Sequence, residues 1–197
     1  MFDPPLSKTT LTLMADLGDV GALLPATLAA AAVLGTRGTW RDAANWAGPI
    51  GLCVAATVAA KLWVRPFAIM IGSHRFTTQS FPSGHAALAT VFYGGLAALL
   101  WRARLTGWRG LLAKACAIAA VLPAAAVIWA VHKLGWHHSL DLSAGILLGG
   151  ACTALAAKLP RSPFLAPSSR LGAAAIAALA IIALHGLRID DMAAFRF

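Results

Sequence analysis

The chain has 197 residues, of which 59% are hydrophobic and only 12% are charged, and its formal net charge is +9. Soluble domains carry roughly 25% charged residues, so the composition excludes an ordinary soluble protein and predicts an all-α, polytopic membrane helical bundle. The basic residues lie in short loops between apolar stretches rather than in one patch, which argues against nucleic acid as a partner. A lipid bilayer is the expected surrounding.

Six apolar stretches follow one another along the chain, and each is long enough for a helix to cross a bilayer. They are predicted at residues 17–35, 44–65, 85–102, 112–131, 139–158 and 171–187. The segment before the first stretch lacks the basic start of a signal peptide, so we expect this stretch to be retained. Because six spans nearly exhaust the sequence, we treat residues 1–197 as a single membrane-embedded domain.

Small side chains inside the spans predict how the helices pack. The fifth stretch contains three glycines that favour close helix contacts, Gly145, Gly149 and Gly150. The three cysteines lie in Ala/Val/Leu-rich stretches without paired spacing, and we expect all of them to be small buried side chains: Cys53, Cys116 and Cys152.

The distribution of arginine and lysine predicts the orientation, since short cytoplasmic loops are enriched in them. One side of the membrane would carry Arg37, Arg41, Arg102, Arg104, Arg109, Lys158, Arg161 and Arg170. We expect that side to be cytoplasmic, with both termini and the segments 66–84 and 132–138 outside. The protein is thus predicted to be a multi-pass protein of the cell membrane, most simply a bacterial inner membrane, with its polar segments facing the periplasm or exterior.

Two cations near the end of the second stretch form the first candidate feature. Lys61 and Arg65 are four residues apart, which places them one helical turn apart on one face. Cations at this depth are costly unless they are paired or used, so a shared anionic target is one interpretation. The alternative is that both side chains extend to the lipid headgroups.

The second candidate feature is the sequence Ser-Phe-Pro-Ser-Gly-His-Ala at residues 80–86, directly before the third apolar stretch. A helix that begins after a proline and a glycine presents free backbone N–H groups, which bind phosphate oxygens well. Ser83 would add a hydroxyl donor, Gly84 would permit close approach, and His85 would lie at the mouth of the site. His85 also has a simpler interpretation as an interfacial or capping residue.

The third candidate feature precedes the fifth stretch. His137 and Asp141 are four residues apart, so on a helix the carboxylate can orient the imidazole and stabilise its protonated form. This spacing makes His137 a plausible nucleophile, with a second histidine available to protonate a departing oxygen. A zinc site remains an alternative at this point, with His132, His137, His138 and Asp141 as ligands.

Together these three segments resemble the pattern of the type 2 phosphatidic acid phosphatase superfamily, over roughly residues 12–158. That pattern is a lysine followed by Arg-Pro, a Pro-Ser-Gly-His block, and a Ser-Arg pair before a spaced His and Asp. The resemblance implies that His137 attacks phosphorus, Asp141 orients it, and His85 protonates the leaving lipid oxygen. It further implies that the phosphoryl oxygens are bound without a metal or other cofactor by Lys61, Arg65, Ser83 and Gly84.

Two positions depart from the family pattern. The family lysine would fall at Val58, and Lys61 offers a replacement one turn nearer to the arginine. The family Ser-Arg pair would fall at Ala130 and Val131, so a phosphate-binding arginine is missing.

The missing charge has three candidate replacements, Lys133, His132 and Arg75. We include Lys133 among the predicted phosphate-binding residues. An ammonium cannot reproduce the bidentate geometry of a guanidinium, so we predict an altered substrate preference or a reduced turnover.

The sequence therefore predicts a membrane lipid phosphatase that hydrolyses a lipid phosphomonoester or diphosphate through a phosphohistidine intermediate at the outer face. Polyprenyl diphosphate and glycerophospholipid phosphates are the expected substrate classes. A lipid phosphotransferase that uses the same site, and a catalytically degenerate lipid-binding protein, remain alternatives. The sequence does not predict an oligomeric state.

Overall fold

The protein is described by a computed structural model that covers residues 6–70, 81–103, 105–159 and 166–186, and for residues 65–70 the description is limited to the backbone. The described residues form helices and no strand, which confirms the all-α prediction. In chain order the helices are α1 (Lys8–Asp16), α2 (Val20–Arg37), α3 (Trp40–Met70), α4 (Gly84–Trp101), α5 (Gly107–Ala119), α6 (Leu122–Lys133), α7 (Ser139–Lys158) and α8 (Pro167–Leu184).

Six helical segments among the described residues are long and apolar enough to cross a membrane, as the sequence predicted. They are Lys8–Arg37, Trp40–Val64, Gly84–Trp101, Gly107–Lys133, Ser139–Lys158 and Pro167–Leu184. Large apolar side chains such as Leu147 and Ile182 are 73% exposed on the outside of the bundle. Exposed apolar surface on this scale requires lipid around it, so the protein is a multi-pass membrane protein.

Two of the six segments are interrupted. The first consists of α1 and α2, which are separated by a turn at residues 17–19, and α1 was not predicted from the sequence. The fourth consists of α5 and α6, which are separated at residues 120–121, just before Pro123 in the first turn of α6. Proline lacks a backbone N–H and is well accommodated at a helix start, which accounts for the position of the second break.

Helix α4 lies at the centre of the bundle, and α7 packs directly against its first turns. A Cβ atom built on Gly145 would lie 2.5 Å from the carbonyl oxygen of Ser83, and one on Gly149 would lie 2.4 Å from that of Ala87. Only glycine permits such an approach, so the predicted close packing is confirmed at these two positions. It is wrong for Gly150, which has nothing within 4 Å of such an atom because it faces away from α4.

The prediction for the cysteines holds for two of the three. Cys53 on α3 and Cys152 on α7 are buried, whereas Cys116 on α5 is exposed on the outside of the bundle. The prediction of burial at Cys116 is wrong because a membrane helix can place an apolar side chain against lipid as readily as against another helix.

The two ends of the bundle differ in chemistry. One end, which we call the basic end, is defined by Arg37, Arg102 and Arg170. There the Arg170 guanidinium donates a hydrogen bond to the Arg102 carbonyl. The Ser169 hydroxyl donates a hydrogen bond to the Arg37 carbonyl at 3.4 Å. The opposite end, which we call the histidine end, is defined by His85 at the start of α4 and His137 just before α7.

Candidate active site

Ser83 joins the first turns of α4 and α7. It is the N-cap of α4, is fully buried, and its hydroxyl oxygen accepts a hydrogen bond from the backbone N–H of Ala86 at 3.3 Å. Its own backbone N–H donates to the carbonyl oxygen of Asp141 at 3.0 Å. The predicted helix start is therefore confirmed, and it is fixed directly to the segment that carries the second histidine.

The end of α6 is shaped to turn the chain back towards α4. Gly135 has a φ of +71°, a left-handed conformation that favours glycine. Its N–H donates to the His132 carbonyl at 3.0 Å, while the N–H of Trp136 donates to the Val131 carbonyl at 3.1 Å. These two bonds form a Schellman motif, which ends the helix and places His137 at the entrance to α7.

Asp141 lies in the first turn of α7, beside His137. Its Oδ2 accepts the backbone N–H of His138 at 3.0 Å and lies 3.9 Å from Nδ1 of His137. Helix N-termini favour acidic residues, so an aspartate is well placed in this turn. The 3.9 Å separation is an ion-pair distance rather than a hydrogen bond, and catalytic contacts of this kind commonly shorten when substrate binds.

The two histidines converge from different parts of the chain, His85 from the first turn of α4 and His137 from the turn before α7. The ring centroids of His85 and His137 are 6.2 Å apart, and the ring of Trp136 lies 5.9 Å from that of His85. Both histidines are largely buried, with 15% of the His85 side chain and 11% of the His137 side chain exposed. The structure thus brings together the predicted residues His85, His137, Asp141 and Ser83.

The sequence analysis missed one carboxylate of this cluster. Oδ2 of Asp19 lies 3.9 Å from Nε2 of His85, and the Asp19 side chain is only 3% exposed. The signal available in the sequence was a Gly-Asp pair directly before an apolar stretch, which indicates a helix cap and not a partner for His85.

One face of helix α3 is buried and faces α4. Ile50, Cys53 and Thr57 are buried, and a Cβ atom built on Gly84 would lie 3.9 Å from Cγ2 of Thr57. Lys61 follows Thr57 by one turn on the same face and is partly buried.

Val58, which occupies the position of the lysine in the family pattern, is 50% exposed. Lys61 is therefore on the side of α3 that faces α4, whereas a lysine at position 58 would not lie on that side. Gly84 itself begins α4 without a close contact that would require glycine.

The remaining candidates are dispersed. Lys133 and His132 are exposed at the end of α6, while Ala130 and Val131 are fully buried in the core. The side chain of Arg65 and the whole of Arg75 lie outside the described residues.

The described residues contain no group of three His, Cys, Asp or Glu side chains placed to hold a metal ion, so the geometry does not support the alternative zinc site. Its four ligands all belong to the described part of the chain. His132 and His138 are exposed, whereas His137 and Asp141 face the interior.

Comparison with known proteins identifies the family. The model of the PAP2 superfamily matches residues 50–163, more than half of the chain, and this range contains all three candidate segments. No curated protein and no solved structure matches the chain. The family match and the six membrane-spanning segments agree with a phosphatase-type membrane enzyme. The chain belongs to the PAP2 superfamily, which is the type 2 phosphatidic acid phosphatase superfamily.

Proposed function

We propose that this protein is a membrane lipid phosphatase that removes phosphate from a lipid through a phosphohistidine intermediate. The observation that carries the proposal is the convergence of His85 and His137, two largely buried imidazoles with ring centroids 6.2 Å apart. A nucleophile and a proton donor each need about 3–3.5 Å to the atom with which they react. The space between the rings suits one phosphoryl group flanked by the two histidines.

In the first step His137 is the nucleophile. Asp141 faces its Nδ1, so the lone pair on Nε2 is the one that attacks phosphorus. As the P–N bond forms and the bond to the lipid oxygen breaks, His85 donates a proton to that oxygen. The positive charge that develops on the phosphorylated His137 is stabilised by the Asp141 carboxylate.

In the second step water attacks the phosphohistidine. His85, now neutral, accepts a proton from the water as the P–N bond breaks, and inorganic phosphate leaves. The two histidines supply nucleophile, acid and base, so the proposed reaction uses no cofactor.

The phosphoryl oxygens are assigned to donors around the start of α4. The first backbone N–H groups of α4, including that of Gly84, and the Ser83 hydroxyl provide a helix N-terminus suited to an anion. Lys61 adds a cation from α3, and Arg65 and Lys133 complete the proposed phosphate-binding set.

The substrate is proposed to be polyprenyl diphosphate or a glycerophospholipid monophosphate. The basic end is assigned to the cytoplasm because arginine and lysine concentrate on that side of membrane proteins. The histidine end then faces the periplasm or exterior of a bacterial inner membrane, where it meets lipid phosphates of the outer leaflet.

The test is phosphate release by the purified, detergent-solubilised protein from a panel of lipid monophosphates and diphosphates, with EDTA present. We expect release that survives chelation, is lost by more than about 10⁴-fold in His137→Ala, and falls by about 10²- to 10⁴-fold in His85→Ala. Transfer of phosphate to an added lipid alcohol in place of release would support the phosphotransferase alternative. No product from any lipid, or variants that match the parent, would overturn the catalytic assignment.

A further inference from the structure

The two carboxylate oxygens of Asp19 have different contacts. Oδ1 accepts the backbone N–H of Gly21 at 2.6 Å and so caps the N-terminus of α2. Oδ2 lies 3.9 Å from Nε2 of His85. Capping is a common structural role for aspartate. The contact with His85 is additional to that role, because a cap needs only one of the two oxygens.

His85 is in a position that disfavours its protonated form. It is the second residue of α4, where the positive end of the helix dipole opposes a positive side chain. A general acid must nevertheless carry its proton before the leaving oxygen departs. A carboxylate at ion-pair distance offsets the unfavourable effect of the dipole on the protonated ring. Its attraction to the ring is stronger because only 15% of the His85 side chain is exposed to solvent.

The turn that carries Asp19 is held against α4 by two further contacts. The Tyr93 hydroxyl of α4 donates a hydrogen bond to the Leu17 carbonyl at 2.9 Å. A Cβ atom on Gly18 would lie 3.3 Å from the His85 carbonyl oxygen and 2.5 Å from Cγ1 of Val127. The turn is therefore packed against the residue that Asp19 faces, and glycine is needed for this approach.

Among the described residues, other ionisable groups belong to the elements around the start of α4. They are Asp16 at the end of α1, Lys61 on α3, His137 before α7 and Asp141 within α7. Asp141 lies 3.9 Å from His137, and a cation such as Lys61 disfavours a second positive charge rather than stabilising it. Asp19 is the carboxylate that the structure places at ion-pair distance from His85.

We propose that Asp19 is a positioning residue that keeps His85 protonated for departure of the lipid oxygen, an inference that rests on the proposed phosphatase function. In the protonated ring Nε2–H faces Asp19, and Nδ1–H is the proton that is transferred. When the P–O bond breaks, the electron pair stays on the oxygen, which takes this proton and leaves as the alcohol. His85 recovers a proton from water in the second step.

The test compares leaving groups. Asp19→Asn and Asp19→Ser remove the charge and keep a residue that caps helices well. We expect kcat/KM for dioctanoyl phosphatidic acid, whose leaving group is an alcohol, to fall by about 10- to 100-fold in both variants. For nitrophenyl phosphate, whose leaving group needs little protonation, the loss should be less than about threefold.

Two controls separate this role from a structural one. Asp42→Asn changes a buried aspartate at the basic end, where Asp42 accepts a hydrogen bond from Thr39 N–H at 3.1 Å, and should leave both activities unchanged. In a His85→Ala background, Asp19→Asn should cause no further loss with either substrate. Equal losses on both substrates, a loss that persists without His85, or no loss at all would reduce Asp19 to a helix cap. A parent protein that releases phosphate neither from these two substrates nor from any lipid of the panel would overturn the proposed function itself.

Discussion

The two histidines of the site each face a carboxylate at 3.9 Å, yet the two pairs are built in different ways. His137 directly precedes the N-cap of α7 and Asp141 lies in the first turn of that helix, so the local backbone alone brings them together. His85 and Asp19 belong to different spans and meet because the turn at residues 17–19 packs on α4. The local pair should tolerate small shifts between helices, whereas the second pair depends on how the bundle is packed.

The largest effect within this comparison is expected from the local pair. Asp141→Asn removes the charge that orients His137 and stabilises its phosphorylated form, while asparagine still accepts the His138 N–H. We expect kcat to fall by roughly 10²- to 10³-fold for phosphatidic acid and for nitrophenyl phosphate alike, since both substrates require attack by His137. A loss confined to phosphatidic acid would show that Asp141 acts on the leaving group and would break the assigned division of roles.

A second comparison is between Lys61, which is partly buried, and Lys133, which is exposed. Lys61 lies on the face of α3 that turns towards α4, while Lys133 is exposed at the end of α6. We expect Lys61→Met to lower kcat/KM by about 10- to 100-fold and Lys133→Met by only about threefold, because water screens an exposed charge. Steady-state kinetics on one lipid phosphate measures both, and a larger loss at Lys133 would reverse the assignment.

The dependence of the second pair on packing is tested at Gly18. Gly18→Ala places a methyl group 2.5 Å from Val127 and 3.3 Å from the His85 carbonyl, so the turn must move. We expect the free energy of unfolding to fall by about 1–3 kcal/mol and kcat/KM for phosphatidic acid to fall about tenfold, with little change in kcat/KM for nitrophenyl phosphate. Gly48→Ala on α3 is the matched control, because nothing lies within 4 Å of its added atom. Equal behaviour of the two variants would contradict the packing argument.

The smallest effect is expected at Tyr93. Tyr93→Phe removes the hydrogen bond to the Leu17 carbonyl and retains the ring, which should cost about 1 kcal/mol in stability. Phosphatidic acid hydrolysis should fall by only a few-fold, since Gly18 still fixes the turn. Thermal unfolding and kinetics on the same preparation measure both effects, and an unchanged unfolding temperature would show that the bond contributes nothing.

Features that depend on residues close together in the sequence were predictable from the sequence. The six spans follow from apolar length, and Ser83 and Asp141 were recognised because caps and helical spacing are local. Close packing at Gly145 and Gly149 was expected from small side chains in the fifth span, but the helix that they contact was not predicted.

Features set by packing between spans were not predictable. Asp19 carried the sequence signal of a cap alone, and its approach to His85 requires a three-dimensional arrangement that one sequence does not encode locally. For the same reason Cys116 was predicted to lie in the core, although it is exposed on the outside of the bundle. The buried Val131 shows that the position of the missing family arginine is now part of the core, which the substitution alone did not reveal.

The most direct test of the two-histidine mechanism is to trap the phosphorylated enzyme. The protein is mixed with labelled nitrophenyl phosphate, quenched in alkali, where phosphohistidine survives, and the labelled residue is mapped. We expect label on His137 in the parent, more of it in His85→Ala because water attack is slowed, and none in His137→Ala. Label that persists in His137→Ala, or phosphate release from the parent with no label in the parent or in His85→Ala, would contradict the mechanism.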